Sequence, residues 1–193
     1  MKTLDRNQLI SRIREKGVEI ENIDELKRIG RKDSDLVPIL LEFLDLVEDE
    51  NDKEFLVRCL GVKGFYEATG QLLREFYNTE KTTYKWAIGN SLAIISDESQ
   101  LNEMLKIALE KKHGIARQMI VEGLGSFRTD EVKHTLINLL KDDEVVGHAI
   151  NALSKIGDGS TKCHIEPFVT YKVAWVRKAA IRALKKLDKK MQL

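Results

Sequence analysis

The sequence predicts an all-α fold of stacked helical hairpins, and three observations predict it. Proline is scarce, with 2 in 193 residues, while Leu, Ile, Lys and Glu abound, a balance that favours helices over turn-rich β structure. Five segments repeat one helical pattern at a near-constant spacing. A shorter amphipathic segment precedes each of them.

The repeated segments begin at Val57, Tyr84, Ala116, Val145 and Val176, separated by 27, 32, 29 and 31 residues. Seven positions past each start stands a small side chain: Gly64, Ser91, Gly123, Ala152 and Ala183. One position later stands a large apolar one: Phe65, Leu92, Leu124, Leu153 and Leu184. Apolar or small residues dominate offsets 0, 3, 4, 7, 8 and 11, the stripe that one face of an α-helix presents. The small column lets a neighbouring backbone approach closely while the adjacent Leu or Phe fills the groove.

The preceding helices read Leu36 to Val47, Gly70 to Tyr77, Gln100 to Leu109, Val132 to Leu140 and Lys162 to Val169. Ser96-Asp97-Glu98, Arg128-Thr129-Asp130 and Gly157-Asp158-Gly159-Ser160 supply side-chain oxygens that cap the next helix and glycines that close the previous one. A lone hairpin of about thirty residues cannot bury its apolar face, so the pairs must stack. Residues 1–34 lie outside this register. There Leu9, Ile10 and Ile13 share a face, Gly17 is placed to end their helix, and Ile23, Leu26 and Ile29 suggest another. The expected organisation is an N-terminal helical cap over 1–34, one continuous repeat domain over 35–188 and a tail over 189–193.

The run Val176-Arg177-Lys178-Ala179-Ala180-Ile181-Arg182-Ala183-Leu184 resembles the second-helix signature of HEAT repeats, in particular the short bacterial, lyase-type ones. The resemblance covers roughly residues 35–188 and implies a right-handed α-α superhelix, a HEAT-like solenoid of about five hairpins. It also implies that the second helices line a concave face that commonly holds a partner. Val146 departs from the basic residue of its column, and Pro167 sits inside a first helix, where it cannot continue the hydrogen-bond ladder.

The formal charge of +1 is far from that of a dedicated nucleic-acid binder, yet the charge is unevenly placed. Segment 42–54 holds seven acids against Lys53, and segment 172–190 holds eight bases against Asp188. Cys59 and Cys163 are far apart and form no C-x-x-C pair, which fits a reduced compartment. Met1 to Glu15 has no continuous apolar region, so neither a signal peptide nor a membrane span is expected there. The expected location is cytoplasmic.

Catalytic and metal-binding patterns are sparse. His113, His134, His148 and His164 lack the three- or four-residue pairing that converges on a metal. Cys163, His164 and Glu166 are close in sequence, but adjacent helical residues point apart. Deoxyhypusine hydroxylases, a HEAT-like enzyme family, bind iron through repeated His-Glu dipeptides, and this chain has no such dipeptide. The HEAT-like DNA alkylpurine glycosylases use tryptophans, bases and a carboxylate. Trp86, Trp175, Arg117 and Arg177 supply part of that chemistry, but Glu122 and Glu144 are anchored by no motif. No catalytic residue, metal or cofactor is expected, and the enzyme question stays open with a non-catalytic role favoured.

The candidate binding residues come from the second helices. Offset 1 reads Arg58, Lys85, Arg117, Val146 and Arg177, which stacking would turn into a basic ladder along the inner surface. Such residues equally serve as bonds to acids and free carbonyls between repeats. Trp86 stands in a column with Cys59, Gln118, Gly147 and Lys178, beside Lys85 and Asn90, and suits an interface anchor as well as a ridge packed on a neighbouring helix. His148, preceded by Gly147, occupies a column otherwise filled by core or half-buried residues, and Trp175 is placed to seal the end of the core. The expectation is a monomeric scaffold or adaptor that grips a protein or peptide of some acidic character through Arg58, Lys85, Trp86, Asn90, Arg117, Gln118, His148, Arg177 and Lys178. The alternative is a protein that binds nucleic-acid phosphates, with glycosylase-like chemistry as its extension. No membrane role is expected.

Overall fold

The computed structural model describes residues 1–190, of which the predicted tail contributes Lys189 and Lys190 at the end of a helix, while 191–193 lie outside the described residues. Helices and turns make up all of the regular structure among the described residues, as the composition and the 3.6-residue pattern require. The chain divides into two compact units, Met1–Asp97 and Glu98–Leu193.

In the first unit α1 (Arg6–Arg14) is capped by Asp5, whose side chain accepts from the Gln8 amide, and Gly17 takes a left-handed φ of 77° just after it. Two 3₁₀ segments, Ile23–Arg28 and Arg31–Leu36, lead into α2 (Val37–Leu46). Hairpin α2 with α3 (Glu50–Leu60) is followed by hairpin α4 (Thr69–Asn78) with α5 (Thr82–Ile95). Helix α5 packs on both α3 and α4, and α1 packs on α2. Leu9, Ile13, Leu40, Leu44, Leu56, Leu60, Leu72, Phe76 and Leu92 are fully enclosed between these elements.

The second unit repeats the scheme with α6 (Leu101–Leu109) against α7 (Gln118–Gly123), α8 (Asp130–Leu139) against α9 (Val146–Ile156), and α10 (Lys162–Ile165) against α11 (Ala174–Lys190). The second helices form their own layer, α7 on α9 and α9 on α11. Helix α10 stops after one turn and continues as a 3₁₀ segment, Glu166–Thr170. Pro167 has no amide to give to the carbonyl of Cys163, which ends the α-helical ladder there.

Offset 0 of the repeat, Val57, Tyr84, Ala116, Val145 and Val176, is buried throughout. Of the small column, Ser91, Gly123, Ala152 and Ala183 are buried and Gly64 is half-buried. The first repeat departs from the expected register, because α3 begins at Glu50 and has ended before Gly64, which turns at a φ of 110°. The close approach falls instead at Gly61, where a Cβ would stand 2.7 Å from Ser91 Oγ. Ser91 in turn donates to the Val57 carbonyl at 2.8 Å, locking α5 to α3. In the third repeat a 3₁₀ segment, Lys111–Arg117, precedes α7, and the tight contact is at Gly125, where a Cβ would lie 2.8 Å from Ala152 Cα. The packing rule holds in both cases, displaced by a few residues.

Candidate interaction surface

The predicted basic ladder does not stand on a surface. Arg117 is 0% exposed. Its guanidinium donates to the carbonyls of Gly114 and Ala108 at 3.0 and 2.9 Å and to Asp142 and Glu144 at 2.9 and 2.8 Å. A planar group with five donors suits this spread of acceptors, and the bonds tie α6 and α7 to the loop before α9. Arg117 therefore has no face left for a partner. Lys85, 6% exposed, lies 5.7 Å over the Phe76 ring with its ammonium 3.6 Å from Glu80. Half-buried Arg177 donates to the Tyr171 and Lys172 carbonyls at 2.7 and 3.1 Å. Of the column, Arg58 alone is exposed, and it is held by Glu54 at 2.7 Å one turn earlier. At three of these four positions the cation bonds to a neighbouring segment, and at Arg58 it bonds within its own helix.

Trp86 and Asn90 are half-buried on α5 of the first unit. The remaining candidates, Gln118, His148 and Lys178, lie in the second unit on α7, α9 and α11, and His148 belongs to a cluster that the second-helix layer assembles. Glu122 on α7 takes hydrogen bonds on one oxygen from His148 Nδ1 at 2.9 Å and Asn151 Nδ2 at 3.2 Å, both on α9. These bonds, His148's first, hold the Glu122 carboxyl below its ordinary range against the opposing effect of burial. Both bonds favour the ionised form of the carboxyl. Gln118 on α7 donates to the Glu144 carbonyl at 2.9 Å.

Trp175, at the start of α11, completes the cluster. Its ring centroid is 5.3 Å from that of His148 at an interplanar angle of 59°. The indole rests on Gly147, where a Cβ would stand 2.0 Å from it, so glycine is the residue that lets the ring lie down on α9. One edge of the indole is seated and 44% of the residue is exposed. Trp175 was expected to seal the core, yet it sits on the open side of the second-helix layer. The signal for this was present as a glycine in one repeat and a tryptophan one position before the start of the next, but their meeting depends on the angle between α9 and α11, which local pattern does not encode.

From Trp175 the surface continues along α11. Val176, Ala179, Ala180, Ala183 and Leu187 are buried on its inner face. Lys178, Arg182, Lys185, Lys186 and Lys189 are exposed, and none has an ion-pair partner among the described residues. Ile181 lies among them, 42% exposed. In segment 42–54, by contrast, Glu42 holds Arg12, Asp45 accepts from Gln71, Glu50 holds Lys81 and Glu54 holds Arg58.

Among the described residues no group of three or more His, Cys, Asp or Glu side chains could hold a metal ion, and no helix is long and apolar enough to cross a membrane. A family model for HEAT repeats matches residues 101–185. The match runs from the first residue of α6 into α11, so the hairpins that carry the Glu122, His148 and Trp175 cluster are HEAT-like repeats. No curated protein and no solved structure matches the chain.

Proposed function

We propose that the protein is a non-catalytic adaptor that binds a protein partner through the second-helix layer of its second unit, with Trp175 as the anchor and Gln118, His148 and Lys178 around it. HEAT repeats are commonly protein-interaction scaffolds, and this unit offers what an interface core needs. An aromatic ring held rigid on one edge loses little freedom when its other edge is covered. The observation that carries the reading is that ring: Gly147 and His148 fix Trp175 while 44% of it stays open. The Glu122, His148 and Asn151 bonds support it by fixing the floor next to the indole before any partner arrives.

In this reading Arg117, Lys85 and Arg177 serve the packing of the repeats. Affinity purification of the full chain from its own cells tests it, with Trp175→Ala compared against His134→Ala on α8. A buried aromatic anchor contributes about 2 kcal/mol or more, so proteins recovered with the wild type and with His134→Ala should be lost with Trp175→Ala. Equal recovery with all three chains would refute the assignment of the surface.

A further inference from the structure

We infer that the partner presents an acidic helical segment with an apolar residue beside its carboxylates, and that this segment lies along the outer face of α11. The inference rests on the adaptor reading and narrows it. Lys178, Arg182, Lys185 and Lys189 follow one another at intervals of four, three and four residues. That spacing puts them on one stripe about 16 Å long, rising about one helical pitch between successive charges. A partner helix with acids three and four residues apart offers carboxylates at the same rise.

Two features favour this occupant. First, the stripe is edged by apolar side chains, with Trp175 at its start and Ile181 between its charges, both more than two-fifths exposed. Neighbouring apolar groups serve a polypeptide that carries its own, whereas a phosphate chain makes no use of Ile181. Second, three of the four cations of the stripe are Lys, a point charge, where planar bidentate recognition of phosphate favours Arg.

The chain's own acids do not fill the role. Besides the pairs given above, Glu48 accepts from the Lys2 amide, Asp49 caps α3, and Asp52 accepts from the Leu4 amide. The acidic run 42–54 is thus engaged within its own unit, so a second copy has no loose acidic segment there to lend.

The test uses the full chain and a labelled helix-forming peptide of about 15 residues, about 22 Å long, with Glu at three- and four-residue intervals flanked by Leu. Anisotropy should register binding that weakens with added salt. Lys178→Glu with Lys185→Glu should weaken it by about tenfold or more, Ile181→Ser should weaken it, and replacing the peptide's Glu by Gln or its Leu by Ser should each reduce affinity. A single-stranded or duplex oligonucleotide that displaces the peptide at equal concentration would overturn the inference in favour of phosphate binding. Equal affinity for the Leu and Ser peptides would overturn it in favour of unspecific charge attraction. If partners recovered from cells are lost with Trp175→Ala yet retained by the Lys178→Glu, Lys185→Glu chain, the adaptor reading stands and the acidic segment falls.

Discussion

Arg117 shows how one residue type at one offset takes its role from what surrounds it. With its guanidinium enclosed, it meets Asp142 and Glu144 from a loop some 25 residues away along the chain, and the sequence pattern that aligned it with Arg58 contains no trace of that loop. Replacing it by Met would strand the Asp142 carboxylate and two carbonyls in a closed site. Urea denaturation should register a loss of about 3–5 kcal/mol, as for other broken buried pairs. Lys should restore little, because one ammonium cannot reach acceptors spread around a planar fork. Glu122 gives a pH signature. Its folded carboxyl titrates below the unfolded one, so its contribution is complete above the usual Glu range, near about 4.3, and drains as pH falls through the folded value. Between pH 6 and 3 the wild type should therefore lose more stability than Glu122→Gln. Gly147→Ala places a methyl group inside the indole ring's present position, so Trp175 must lift off α9. Its emission should shift to the red, and stability should fall by about 1–3 kcal/mol, as overpacked sites do.

For the elements, side-chain volume was legible and helix ends were not. Four of the five small positions are buried, and the hairpins follow the predicted order, because an apolar stripe repeated every 3.6 residues leaves a helix few other ways to bury itself. The ends are set by finer causes. Gly61 and Gly64 end α3 early although Phe65 beyond it is still buried, and α7 gives way to a 3₁₀ turn at Leu124–Ser126, where two glycines weaken the helix. At Gly125 the missing side chain allows the backbone of α9 to approach. Gly125→Val should lower the urea midpoint by an amount equivalent to about 1–3 kcal/mol, with an unchanged denaturant slope, since the unfolded surface stays the same.

On the scale of the whole molecule the charge is divided between the units. Residues 1–97 carry 15 Lys and Arg against 19 Asp and Glu, and residues 98–193 carry 17 against 12. The sequence disclosed this imbalance, but not that the acids of 42–54 are engaged within their unit while Lys178, Arg182, Lys185, Lys186 and Lys189 of α11 are exposed. Open charges add little to folding, so Lys178→Glu with Lys185→Glu should change stability by no more than about 0.5 kcal/mol while altering binding. Photo-crosslinking in the native cells shows whether partners meet the second-helix layer of the second unit. A benzoylphenylalanine would be placed in turn at Gln118, Asn151 and Lys178 on that layer, and at Asn102, His134 and Asn138 on α6 and α8. Covalent protein adducts are expected from the first three positions and none from the others. Adducts from α6 and α8 alone, or from all six positions alike, would contradict that expectation.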